Sequence, residues 1–104
     1  MTRYKVRIEP DVYAGRKNLP GNMRQRVRRA IADLADEPRP PQSRSLDVGD
    51  IDVPSGVEMR RLRIEHWRVV YALNDAEAWA WVLSLRRRPP YDYDDIGEMI
   101  TRLG

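Results

Sequence analysis

The side chains with the clearest chemical potential are arginines. Arg60, Arg61, Arg63, Arg68, Arg86, Arg87 and Arg88 fall in two stretches, RRLRIEHWRVVYAL (60–73) and WVLSLRRRPPYDY (81–93). Between positions 60 and 88 these seven cations meet only Glu65, Asp75 and Glu77. The local balance is 7 − 3 = +4, against +3 for the whole chain. A guanidinium stays charged at working pH, and its planar fork of N–H donors matches a phosphate group. Arginines set among apolar strand residues therefore suit a phosphate-rich partner, or charge that develops on phosphorus during a reaction. Other chemistry is poorly represented. The chain has no cysteine, so disulfides, thiolate nucleophiles and Cys-based zinc sites are excluded. His66 is the one histidine. It falls in a predicted turn and reads as a surface residue. Glu58 and Glu65 read as salt-bridge partners. Neither a metal site nor a cofactor is expected.

Strand parity sorts the arginines. Val57–Ile64 and Trp67–Leu73 read as two strands joined at Glu65-His66 by a two-residue hairpin connection. That turn sets Ile64 opposite Trp67, Arg63 opposite Arg68 and Arg61 opposite Val70. Successive strand residues face opposite ways. One face then carries Leu62, Ile64, Trp67, Val69, Tyr71 and Leu73, and must be the core side. The other carries Met59, Arg61, Arg63, Arg68, Val70 and Ala72. On the strand Ala78–Leu85, simple alternation sends Trp79, Trp81, Leu83 and Leu85 to the core side. It sends Ala80, Val82, Ser84 and Arg86 to the arginine side, and Arg88 continues that parity. The expectation is an open sheet face lined by Arg61, Arg63, Arg68, Arg86 and Arg88, with Arg60 and Arg87 off it. Like charges directly across a strand pair destabilise, so Arg63 facing Arg68 is tolerable if an anion, a partner's carboxylate or the C-terminal region lies between them.

The remaining elements supply the support. RYKVRIE (3–9) alternates and predicts a half-buried strand ended by Pro10. Asp11 can cap a helix to about Lys17. Met23, Val27, Ala30, Ile31 and Leu34 make the apolar stripe of a second helix, with Pro38 beyond it. A weak strand signal covers 45–48. Asp92–Leu103 predicts a last helix with Ile96, Met99, Ile100 and Leu103 on its stripe and acidic residues at its N-terminus. The fold class is α+β: an antiparallel sheet of about four strands, two N-terminal helices on one face, and a C-terminal helix. The 104 residues suit one domain, 1–104. No stretch approaches the ~18 apolar residues of a membrane helix, and the alternating N-terminus has no signal-peptide core. A soluble cytoplasmic protein is expected. With 17 arginines and two lysines the chain is basic, which points to nucleic acid or an acidic protein.

Several segments together resemble one family. LP-x₃-R-x₂-V-x₂-A-I-x₂-L (19–34), PRPP (38–41), RRLRIEHWRVVYALND (60–75) and VLSLRRRPPYDY (82–93) are similar to the RelE/ParE superfamily of bacterial type II toxins. The most specific part is Leu62, Arg63, Trp67, Arg68, Val69, Val70 and Tyr71, followed by a strand ending in arginine. The resemblance implies a small toxin held by an acidic antitoxin from a neighbouring gene. RelE-like members are metal-independent endoribonucleases that cut messenger RNA on the ribosome and so inhibit translation. ParE-like members inhibit DNA gyrase and do not cleave RNA. A degenerate toxin that only binds its antitoxin is a third reading.

Within that resemblance, Arg68 matches the phosphate-stabilising arginine. Arg61 falls where RelE-like chains have a catalytic lysine, and Met59 replaces the other lysine of that strand. Arg88 matches the arginine that assists the leaving group. Tyr91 and Tyr93 both follow it, although Asp94 holds the family's tyrosine spacing. Tyr93 is preferred for stacking or proton transfer. Arg63, Arg86 and Tyr91 are assigned to RNA or phosphate binding.

Overall fold

The computed structural model describes residues 3–87 and 95–103. The elements are β1 (Lys5–Ile8), α1 (Pro10–Lys17), α2 (Gly21–Asp33), β2 (Ser43–Ser45), β3 (Val57–Ile64), β4 (Trp67–Asn74), β5 (Trp79–Arg87) and α3 (Ile96–Thr101). The strands form one sheet in the order β1-β5-β4-β3-β2. The α+β expectation holds, with five strands rather than about four. β1 lies parallel to β5, and the other pairs are antiparallel. The predicted hairpin register is found: Ile64 faces Trp67, Arg63 faces Arg68 and Arg61 faces Val70. Glu65 takes a left-handed backbone (φ 53°) to close this turn.

Each sheet face has its own core. On one face, Val12 of α1 and Val27 and Ile31 of α2, together with Leu34, pack on Leu62, Ile64, Val69, Tyr71, Leu73, Ala80 and Val82. The α2 stripe forms as its spacing predicts, and Arg24, Arg26, Arg28 and Arg29 stay exposed. The helix ends at Asp33, with turns before Pro38. On the opposite face, Met99 and Ile100 of α3 pack on Met59, Val70, Ala72 and Leu83. Leu46, Val48 and Val53 of the β2–β3 connection close that second core. The arginine-bearing face is therefore not open along its length. Burial of its apolar half under α3 is favourable at about 25 cal/mol per Å² removed from water.

A bulge in β5 corrects the predicted parity of that strand. Val70 faces Ser84 but the next residue, Tyr71, faces Val82, so Leu83 is the extra residue. Downstream of it, Ser84 and Arg86 lie on the arginine side as expected, and Leu85 packs on the helix-side core. Upstream, the faces are exchanged. Ala80 and Val82 belong to the α1–α2 core, whereas Trp79, Trp81 and Leu83 lie with α3. One inserted residue in a period-2 pattern sends every residue beyond it to the other side.

A polar network ties the opposite end of the sheet. The Arg39 guanidinium bridges Glu58 of β3 (2.6 Å) and Asp75 of the β4–β5 turn (2.9 Å). Arg60 donates to Glu58 (2.7 Å) and Ser43 (2.8 Å), and the Tyr4 hydroxyl bonds Asp75. The buried Tyr71 hydroxyl donates to the Pro38 carbonyl at 2.8 Å. These bonds clamp the PRPP loop against the sheet.

Candidate phosphate-binding face

Beyond the edge of α3, the second sheet face is basic. Two rungs cross it. Arg44 of β2 faces Arg61 of β3, which faces Val70, which faces Ser84 of β5. In the next rung Arg63 faces Arg68, which faces Arg86. Residues directly opposite in an antiparallel pair have Cβ atoms about 4.5–5.5 Å apart on the same side. Arg44, Arg61, Arg63, Arg68 and Arg86 therefore form one field of five cations spread over four strands. Arg60, opposite Tyr71, and Arg87, opposite Trp67, belong to the other side as expected.

The restraints on these arginines differ. Arg68 is half-buried, and its Nη1 donates to the carbonyls of Glu65 (2.9 Å) and Trp67 (3.0 Å), which holds the side chain against its own hairpin turn. Arg86 reaches Asp95, just ahead of α3, at 3.4 Å. For Arg44, Arg61 and Arg63 there is no ion pair among the described residues. Ser84 is only 5% exposed, and its hydroxyl has no hydrogen-bond partner among the described residues. It lines a cavity of about 300 Å³ with Arg86, Asp95, Met99 and Arg102. A wider groove of about 890 Å³ begins beside Arg44 and Arg63 and runs to Arg26 and Arg29 of α2.

Two expectations about single residues can be placed. Glu58 and Glu65 are salt-bridge partners, of Arg39 and Arg60 and of Arg26 respectively. Met59, where the resemblance implies a lysine, is 3% exposed and sealed beneath α3. Arg88, Tyr91 and Tyr93 lie outside the described residues. The rung positions themselves offer cations and one hydroxyl, and His66 is exposed in the hairpin turn between Arg63 and Arg68. Arg44 was not anticipated. Its only signal is the short alternation Ser43-Arg44-Ser45 beyond a proline-rich loop, and it becomes a strand residue by pairing with Arg61.

No protein-family model matches the sequence, and no curated protein sequence matches it. Solved structures do match by shape. The archaeal RelE–RelB complex from Pyrococcus horikoshii superposes at a TM-score of 0.71 with 24% identity, covering 88% of this chain and 100% of that one. The fold is that of the RelE toxins. The RelBE2 toxin–antitoxin complex from Mycobacterium tuberculosis gives 0.62 with 21% identity, over 83% of this chain and 99% of that one. An arginine-substituted E. coli RelE in the free state gives 0.61 with 14% identity, over 97% of each chain. The RelE-like fold thus spans nearly all of the chain, and the five arginines line one end of its sheet. No helix of the described residues is long and apolar enough to cross a membrane.

Proposed function

We propose that this chain is the toxin of a type II toxin–antitoxin pair and acts as a metal-independent endoribonuclease on messenger RNA at the ribosome. The observation that carries the reading is the pair of arginine rungs on a RelE-like sheet, at the hairpin end of the face that α3 covers in part. The ribose 2′-hydroxyl of the RNA is the nucleophile, so the reaction needs no metal-bound water. Arg61 and Arg68 stabilise the charge that gathers on the phosphorus oxygens, which is the largest contribution such a site makes. Arg63 and Arg86 hold neighbouring phosphates by bidentate contacts. Arg88 assists the departing 5′-oxygen, and Tyr93, with Tyr91 as the alternative, moves the proton or stacks a base. An acidic antitoxin from a neighbouring gene neutralises the cationic face in the cytoplasm. The solved relatives in complex with RelB support an antitoxin partner.

Expression without antitoxin, followed by mapping of RNA ends, tests the reading. Cuts inside translated codons are expected. Growth arrest with intact messages would reject it. A ParE-like gyrase inhibitor is the second reading, and one observation favours it: Met59 is sealed under α3 where a catalytic lysine would stand, and Arg61 keeps the charge without a lysine's readiness to exchange a proton. Loss of supercoiling activity by gyrase at excess toxin, with messages intact, would select it.

A further inference from the structure

The helical side of the molecule carries a second basic surface, on the layer opposite the sheet rungs. Tyr13 of α1 is 45% exposed, the most exposed of the large apolar side chains described. The Arg16 guanidinium lies over its ring at 5.0 Å from the centroid. A shallow cavity of about 260 Å³ sits beside it, lined by Tyr13, Arg16, Lys17, Arg24, Gln25 and Arg28. Four of the six lining residues are cations and none is acidic. Among the described residues, none of the four makes an ion pair. A solvated charged helix would ordinarily intersperse carboxylates. Here the α1–α2 elbow brings cations from two helices around one aromatic ring.

We propose that the α1–α2 elbow is a second nucleic-acid contact surface, one that takes folded RNA by its phosphate backbone with an unpaired base stacked on Tyr13. Unpaired cations supply the sequence-independent attraction to phosphates. The tyrosine adds stacking that any base can satisfy. Stacking selects the RNA class: loops and bulges offer splayed bases, whereas a continuous duplex keeps its bases stacked on each other. The surface lies on the layer opposite the arginine rungs and holds whether or not those rungs cleave RNA.

The test uses the full chain carrying Arg68→Ala, so that cleavage does not enter, and fluorescence anisotropy with a labelled RNA hairpin bearing an unpaired loop. A blunt RNA duplex of the same stem and a labelled polyglutamate peptide are the comparison probes. Arg24→Ala/Arg28→Ala should weaken hairpin binding roughly ten-fold and reduce the slope of log K against log salt by about two. Tyr13→Ala should weaken hairpin binding roughly ten-fold and leave the duplex unaffected. Arg24→Lys/Arg28→Lys, which keeps the charge, should bind nearly as the parent does. Circular dichroism checks that each variant is folded. Hairpin affinity unchanged by the alanine variants overturns the proposal. So does binding of polyglutamate but not RNA at this elbow, which assigns the surface to a protein.

Discussion

Arg63 of β3 and Arg68 of β4 stand directly opposite each other, and Arg86 of β5 stands opposite Arg68. Three guanidinium side chains thus cross three neighbouring strands in one rung. Such a row is held by the apolar face beneath it and not by its own interactions, because like charges in opposed positions repel. Two of the three are partly relieved. Arg68 turns to the carbonyls of the hairpin, and Arg86 meets Asp95. A bound phosphate chain would relieve all three.

Replacing Arg63 by glutamine should stabilise the free protein by up to about 0.5 kcal/mol, since one repulsive pair is removed. The same change should weaken RNA binding several-fold. Urea unfolding and RNA titration read the two effects separately. A loss of stability would mean that Arg63 has a structural partner and that the rung is not repulsive.

Arg68→Ala should leave the fold intact and cost about two to three orders of magnitude in RNA cleavage, the usual effect of removing one charge-stabilising donor. Its hydrogen bonds to Glu65 and Trp67 are partly solvated, so the loss in stability should stay near 1 kcal/mol. End-mapping of messages and a thermal melt decide the matter. Unfolding of this variant would make Arg68 a structural residue.

Deleting Leu83 should keep the faces of β5 and cost the packing of one buried leucine. The deletion removes the bulge but leaves Val82 next to Ser84, so simple alternation keeps Val82 opposite Tyr71 and Ser84 opposite Val70, with Trp79 and Trp81 still beneath α3. Leu83→Ala keeps the bulge and should cost about 2–5 kcal/mol through the cavity it leaves. A deletion variant that unfolds outright while Leu83→Ala stays folded would show that β5 needs the bulge itself.

Acid sensitivity should centre on Arg39. Its hydrogen bond, followed by that from Tyr4, holds Asp75 below the usual carboxylate range. For Glu58, partial burial pushes the pKa up, but hydrogen bonds from Arg39, Ser45 and Arg60 outweigh it and leave the group depressed. A depressed folded pKa gives stability that is present above the unfolded values, about 3.9 for Asp and 4.3 for Glu, and lost as pH falls through the folded ones. The urea midpoint should hold steady down to about pH 5 and fall below it. Both carboxylates are partly solvated, so the effect is modest. Arg39→Ala should start from a lower midpoint at neutral pH and decline less steeply in acid. Parallel acid limbs for the two proteins would clear this network of the role.

The sequence by itself determined the local pairings. Alternation in 57–64 and 67–73, with two residues between, fixed the hairpin register down to Arg63 opposite Arg68. The α2 stripe was equally legible, because both signals come from residues close in the chain with a fixed period. Only the tertiary structure added Arg44 to the basic face already expected to hold Arg61, Arg63, Arg68 and Arg86. Arg44 joined it because β2 is defined by pairing with β3, and three residues carry too little pattern to show that. Trp79 and Trp81 changed sides because a bulge arises from how β5 matches β4, and alternation within β5 holds no trace of it. α3 covers Met59 and Val70 but, among the described residues, leaves Arg63 at the hairpin end exposed, and that boundary is set by packing between segments far apart in sequence. Charge and period are written along the chain, whereas the meeting of five arginines on one face depends on long-range pairing.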